Sequence, residues 1–370
     1  MIKITYPSDL EKLKNKYLDI FGDNLKKMKR RWKKVRLHDI EIEDLLVGDF
    51  NSLVDKYIQY KSENISERNT RIYNKIFDYE YYHDRIAKFF MDKENGFNLH
   101  TCHYCNTAYI NAYGIGTTYS THLEFANRAS IAEWRAIFKE STLPDDKIKQ
   151  IIDCRPFQTL EDFNRGKFLP KKIEMYKGMR LDDNANHFDL DHLLPKSVCP
   201  IIGLSLFNFV PSCQVCNEKL KKDKELGRNQ DEWKKISPTY SGSSMADDVV
   251  IKLKSRETCS TFFGLNEKSD NYYLDFDTNG EDVYERYLEI FRLKDRYNYH
   301  KAFALRILDL KQRYTEEKCD QISRMLSAGL PDNEEKRYYS KEQITEDIFQ
   351  EKFGEDRCFS KLRKDMLEHN

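Results

Sequence analysis

A mainly helical α+β protein with a small metal-clamped module at its centre is the architecture this sequence predicts. Helical periodicity fills both ends of the chain, and a compact strand–loop–strand–helix pattern runs from His187 to about Leu226. Two CxxC pairs, Cys102/Cys105 and Cys213/Cys216, stand far apart in sequence. The length of 370 residues gives room for two or three domains. The 62 basic and 62 acidic residues cancel, so any attraction to a polyanion must be local. No apolar run approaches the ~20 residues needed to span a bilayer, and the start Met-Ile-Lys-Ile-Thr-Tyr-Pro lacks an apolar signal region, so the chain is expected to be cytoplasmic, with no membrane. Nine cysteines in such a compartment suit metal binding and free thiols better than a disulfide framework.

Residues 1–97 read as a helical N-terminal domain suited to docking a partner or nucleic acid. Asp9 precedes a periodic run through Leu10, Leu13, Tyr17, Leu18 and Ile20, and further runs cover Ile40 to Tyr60 and Arg71 to Met91. Lys26, Lys27, Lys29, Arg30, Arg31, Lys33, Lys34 and Arg36 cluster around Trp32. Such a run can track a phosphate backbone, and it equally describes a solvated or partner-docking helix face.

Residues 98–228 form the central module, with an insertion at 106–186. Within the insertion, Ile131 to Phe138 and Asp145 to Ile152 read as helices, and Phe163 to Arg180 mixes basic and aromatic residues that suit either a nucleic-acid groove or a surface loop. His187 to His192 alternates charged and apolar residues and reads as a strand, expected to end by Pro195. Phe207 to Val210 reads as a second strand stopped by Pro211, and Gln214 to Leu226 as a helix. Two strands and a helix bury too little apolar surface to stand alone, and scaffolds of this size are commonly stapled by a metal. Cys102, Cys105, Cys213 and Cys216 have the knuckle spacing of a closed four-thiolate zinc site, worth roughly 10–16 kcal/mol of apparent binding free energy in small peptides. His103 is expected to be an exposed loop residue, and Tyr104 to pack on the metal.

Asp191, His192, Asn208 and Asn217 carry the chemistry. A neutral imidazole can take a proton from water, and a carboxylate with an amide oxygen can hold a hard divalent cation, magnesium or manganese, against a phosphate. Neighbours on an ideal strand face opposite ways, so Asp191 and His192 can share a site only where the strand bends or ends. Asp189 lies two residues before Asp191, on the same face of an ideal strand; it and His187 are read first as exposed strand residues, with an auxiliary metal role as the second reading. Asn217 and Lys221 share a helix face, which makes Lys221 a candidate phosphate contact.

Residues 229–370 read as an α+β region. Pro238 to Ser244 is a linker, Asp248 to Lys254 and Tyr272 to Phe276 are strands, and Asn279-Gly280 is a hairpin or turn signal. Glu281 to about Leu330 is a pair of long helices, and the tail from Ser340 is helical.

The segments Asp191-His192-Leu-Leu-Pro-Lys-Ser, Phe207-Asn-Phe-Val-Pro and Cys213-Gln-Val-Cys-Asn-Glu-Lys-Leu-Lys resemble the HNH nuclease family, whose fold is ββα-metal. The resemblance implies that His192 is the general base, Asp191 and Asn217 are the magnesium or manganese ligands, and Asn208 orients the His192 ring. It implies a metal-dependent endonuclease, with DNA the first substrate and RNA, for example tRNA, the second. A zinc-stabilised binding adaptor with a dead site is the reading from another class. The layout from the first CxxC onwards, with Phe291-Arg-Leu-Lys-Asp-Arg296-Tyr and Ser360-Lys-Leu-Arg-Lys-Asp365, is similar to the HNH subunits of Septu-type and retron-linked anti-phage systems. That similarity implies an ABC or SMC-like ATPase partner and, in retron-linked forms, a reverse transcriptase with its nucleic acid. The sequence has no GxxxxGK[ST] loop, so ATP hydrolysis would come from elsewhere.

Overall fold

The computed structural model describes residues 2–35, 37, 40–97, 99–114, 119, 121–138, 140–169, 184–239, 245–256, 269–328, 339–349 and 357–369. The described chain is mainly helical with three two-stranded sheets. It divides into two compact units, one of residues 1–111 with 188–370 and one of residues 112–187.

In the first unit, helices α1 (Leu10–Asp19), α2 (Asp23–Trp32), α3 (Ile42–Leu46), α4 (Phe50–Ser62), α5 (Glu67–Ile76) and α6 (Tyr79–Met91) follow one another. Asp9, Asp49, Ser66 and Asp78 each cap the helix they precede by accepting a hydrogen bond from a backbone N–H three residues on. The two later periodic runs are each broken into two helices. A β-carbon at Gly48 would collide with the Asp44 carbonyl, and Asp78 starts a fresh cap. Each break falls where a cap or a turn outcompetes continued periodicity.

The expected boundaries at 97 and 228 have no counterpart in the packing. Tyr17 donates to the Leu204 carbonyl at 2.8 Å, Ser205 to the Leu45 carbonyl, and Tyr57 to Glu225, while Tyr57 also packs edge-on against Trp233 of the helix Gln230–Ile236. The N-terminal helices therefore share one apolar core with the central segment and with the C-terminal region.

The second unit covers nearly the residues of the expected insertion. It opens and closes with β1 (Asn111–Gly114) paired to β2 (Asn184–His187). Between them, α7 (His122–Arg128), α8 (Ile131–Ile137), α9 (Asp145–Asp153) and α10 (Leu160–Arg165) enclose Phe125, Trp134, Phe138, Ile148, Ile151 and Phe163. Residues 170–180 of the basic and aromatic stretch lie outside the described residues.

Back in the first unit, β3 (Asp189–His192) runs antiparallel to β4 (Phe209–Ser212), with His192 opposite Phe209 and Asp189 opposite Ser212. Two sequence expectations shift here. The strand expected from His187 divides at Phe188, since Asn184–His187 pairs with β1 and only Asp189 onward pairs with β4. Pro211 lies inside β4 rather than stopping it, and its carbonyl accepts the His103 N–H at 3.3 Å. Proline removes a donor but keeps its acceptor.

The expected helix from Gln214 to Leu226 is a π-helix, Val215–Lys221, ended by Lys222 at φ 51°. Further on, β5 (Val250–Ser255) and β6 (Tyr272–Asp277) pair antiparallel. Asn279 and Gly280 turn the chain from β6 into the next helix with positive φ at both, not between two strands. Four helices replace the expected long pair: Asp282–Ile290, Leu293–Tyr299, Lys301–Arg313 and Glu316–Ser327. Arg292 in the left-handed region makes the first break, and Thr315 caps the last helix. The tail forms Lys341–Phe349 and Ser360–His369. No helix among the described residues is long and apolar enough to cross a membrane.

Candidate metal and nuclease centre

The two CxxC pairs meet. The sulfur atoms of Cys102, Cys105, Cys213 and Cys216 all lie within 4.8 Å of one another, and all four cysteines are free of disulfides. A tetrahedral zinc with Zn–S bonds of about 2.3 Å needs sulfur separations of about 3.8 Å, so this cluster has the size and the soft ligand set for such an ion. Among the described residues it is the one group of His, Cys, Asp and Glu side chains with that geometry.

Four thiolates around a dication leave an excess of negative charge, and the surroundings answer it. Arg296 donates to Cys216 Sγ at 3.4 Å and to Thr107 Oγ1 at 2.8 Å, and Thr107 in turn donates its hydroxyl to Cys105 Sγ at 3.2 Å. Burial alone would depress the Arg296 guanidinium, but the Cys105 and Cys216 thiols outweigh it and raise its pKa. Tyr297 donates to the Cys105 carbonyl at 2.8 Å and Tyr287 to that of Tyr104 at 3.0 Å. The segment around Phe291–Tyr297 is thus the brace of the first knuckle. Its role was invisible in the sequence because 191 positions separate Arg296 from Cys105. His103, expected to be exposed, is buried: Nδ1 lies 3.1 Å from the Ile2 carbonyl, and its backbone pairs with Ile2 and Pro211.

The strand end places the remaining residues. Asp191 and His192 point to opposite sides of β3, as alternation demands. His192 is 6 % exposed and lies between Tyr79 (ring centroids 4.7 Å apart) and Phe209 (5.0 Å). Its Nε2 is 2.9 Å from the Gly203 carbonyl, so Nε2 carries the proton and Nδ1 keeps its lone pair. Burial, helped by Lys196, Lys221 and His83 and opposed by the Gly203 bond, takes its pKa from the usual 6.5 down to about 3.

Asn208 is fully buried, and it does not contact the His192 ring. Its amide accepts from the Leu194 N–H at 2.8 Å and donates to the Leu194 carbonyl at 3.0 Å and the Ile202 carbonyl at 3.3 Å. It fastens the loop between the strands, and that loop supplies Gly203. The expectation that Asn208 orients the ring is therefore corrected: a carbonyl orients it, and Asn208 acts one step behind.

On the other side of β3, Asp191 Oδ2 accepts from the Tyr104 hydroxyl at 2.5 Å and forms an ion pair with Lys221 Nζ at 2.9 Å. Lys221 is 0 % exposed, and its ammonium also donates to the carbonyls of His192 at 2.8 Å and Lys222 at 3.4 Å. An ammonium so enclosed cannot reach a substrate phosphate, which corrects its expected role. Burial raises the Asp191 pKa against the pull of Lys221 and Tyr104. Tyr104, between the two knuckle cysteines, stacks on Phe291 at 4.6 Å.

Asn217 lies on the same helix and donates to Asp189 Oδ2 at 3.2 Å. Asp189 is half-buried, with a pKa raised by burial and held back by Asn217. The expected pairing of Asp191 with Asn217 is thus replaced by two rungs, Asp189–Asn217 and Asp191–Lys221. The register explains this: residues two apart on a strand stand about 6.6 Å apart on one face, and residues four apart on a helix about 5–6 Å apart. Asp189 was read as an exposed strand residue, and its two-residue spacing from Asp191 was the one sequence signal that it faces the helix.

No family model, curated protein or solved structure matches this chain. What the centre can do therefore rests on its own geometry. It offers a neutral imidazole with a free lone pair at a strand end, two carboxylates and an amide oxygen on the opposite side, and a four-thiol site one hydrogen bond away through Tyr104.

Proposed function

We propose that this chain is a metal-dependent endonuclease of the HNH kind, hydrolysing phosphodiester bonds in nucleic acid, with DNA as substrate. The observation that carries the reading is the two-rung contact of the β3–β4 pair with the π-helix at the edge of a four-cysteine cluster, with His192 at the strand end. Antiparallel strands followed by a helix, in that order, are what a ββα-metal module requires.

The four thiols fit zinc as the structural ion. Asp191, Asp189 and Asn217 present hard oxygens that fit magnesium or manganese, since Asp191 has an oxygen beyond the Oδ2 held by Lys221 and Tyr104. When bound, such a cation supplies Lewis-acid stabilisation of charge on the phosphate and the leaving oxygen. The chain's own residues do the rest. For His192 to take the proton of the attacking water at Nδ1, its ring has to turn past the end of β3 toward the oxygens of Asp191, Asp189 and Asn217, because it stands on the opposite side of the strand; at rest the Gly203 carbonyl holds it in the Nε2–H tautomer between Tyr79 and Phe209. Asn208 keeps Gly203 in place.

Lys196, half-buried, lies 4.1 Å above the Tyr79 ring that packs on His192 and pairs with Glu80 at 3.1 Å; exchanging that partner for a phosphate would give it the contact role that Lys221 cannot take. The exposed Lys26, Lys27, Arg30, Arg31, Lys33 and Lys34 on and just after α2 give the nucleic acid a second anchoring face. The similarity to Septu-type subunits supports a place in anti-phage defence beside an ATPase partner.

The test presents purified protein with supercoiled plasmid and total RNA, with magnesium or manganese. Plasmid cleavage that disappears in His192→Ala supports the reading. Cleavage of RNA with intact plasmid replaces DNA by RNA. No cleavage of either, alone or with the copurified partner, leaves the zinc-stabilised adaptor.

A further inference from the structure

The buried Lys221 is unused by this chemistry, and it is too well built to be incidental. It lies inside the π-helix, fully enclosed, with three donor contacts to Asp191 Oδ2, the His192 carbonyl and the Lys222 carbonyl. Tyr104 puts a further donor on the same carboxylate oxygen from the cysteine knuckle. Long irregular helical turns of this kind recur at functional sites, where the extra residue per turn re-aims a side chain.

We propose that Lys221 is a fixed internal counter-charge that sets the charge of the catalytic centre, with Tyr104 holding Asp191 in register; both are positioning residues, and the inference rests on the nuclease reading above. Asp189 and Asp191 together carry two negative charges, and Lys221 removes one. A divalent ion then converts the centre from −1 to +1, the complement of one phosphodiester. Without Lys221 the loaded centre would be neutral and the empty one would grip the cation harder. The ammonium thus gives up cation affinity in exchange for attraction to the substrate backbone, and its enclosure keeps it from being displaced by the incoming ion.

The experiment measures manganese binding to the zinc-loaded full-length protein by electron paramagnetic resonance, without nucleic acid, and the KM for plasmid separately. Lys221→Gln keeps hydrogen-bond donors and loses the charge. It is expected to bind manganese about tenfold or more tightly and to raise KM for plasmid, with zinc content unchanged. Unchanged or weaker manganese binding in Lys221→Gln, with wild type binding manganese and cutting, overturns this inference and leaves the nuclease reading standing. Absence of manganese binding in wild type overturns both. Lys221→Arg keeps the charge and carries the test if Lys221→Gln does not fold. Its manganese affinity is expected to stay within about threefold of wild type, and a change beyond about tenfold overturns the proposal.

Discussion

Lowering the pH from 7 to 5 interrogates the environment of His192. Its imidazole titrates at about 3 in the folded protein instead of 6.5, because it is enclosed between Tyr79 and Phe209. As the pH falls, the unfolded chain takes this proton before the folded one does. His192's contribution to stability is therefore full above pH 6.5 and is lost progressively as the pH falls toward 3. Linkage puts the loss at about 2 kcal/mol between pH 7 and 5, and at about 5 kcal/mol once both states are protonated. Asp189 and Asp191 work in the opposite sense. Their folded pKa values are raised, so their share is present at low pH and lost as the pH rises through those values. Comparing wild type with His192→Gln isolates the histidine, since the carboxylates and the thiols are common to both. Urea midpoints measured at pH 7, 6 and 5 on zinc-loaded protein should fall more steeply for wild type than for His192→Gln. In parallel, the His192 C2–H resonance should show no titration between pH 8 and 5. A His192 resonance that titrates near 6.5, or parallel pH slopes for the two proteins, would refute the burial argument and with it the claim that this imidazole is neutral throughout that range.

Four further outcomes follow from individual contacts of the fold. Cys213→Ser should lose zinc on dialysis and melt markedly lower, and unchanged metal content by atomic absorption would count against the clamp. Arg296→Gln removes the charge that answers the thiolates, so zinc should be held roughly 10–100-fold less tightly in chelator competition, with the fold retained. Asn208→Ala strands three backbone groups in the interior, and at about 1 kcal/mol or more each the denaturation midpoint should shift by the equivalent of about 3 kcal/mol. Asp365→Ala leaves the Lys361 ammonium, 2.6 Å from Asp365 and nearly enclosed, without that carboxylate and removes the oxygen to which the Ile251 N–H donates. The expected cost is about 3–5 kcal/mol, recovered in large part when Lys361→Met is added.

The C-terminal helix is tied to the first cysteine knuckle. Ser360 to Asp365 entered the sequence reading only through a resemblance, and the structure gives the segment a physical task that the resemblance did not state. Asn106, immediately after the first knuckle and at φ 51°, accepts hydrogen bonds from the Ser360 hydroxyl and the Lys361 N–H through its side chain and from the Phe359 N–H through its carbonyl. The tail helix is thereby tied to the cysteine loop. A pairing across some 250 residues leaves no periodic trace, so no reading of local pattern could have found it.

What the sequence determined by itself was local or stereotyped: the helix start at Asp9, the two strands around the Asp-His pair, and the zinc-like spacing of four cysteines. These depend on capping, alternation and ligand geometry, each written within a few residues. Only the tertiary structure decided which partner each polar side chain takes. It gave His192 a carbonyl instead of Asn208, gave Asn217 to Asp189, and enclosed Lys221 against Asp191. Partner choice depends on strand register, on the pitch of a π-helix and on burial by elements far away in the chain, and those quantities exist only once the core has closed.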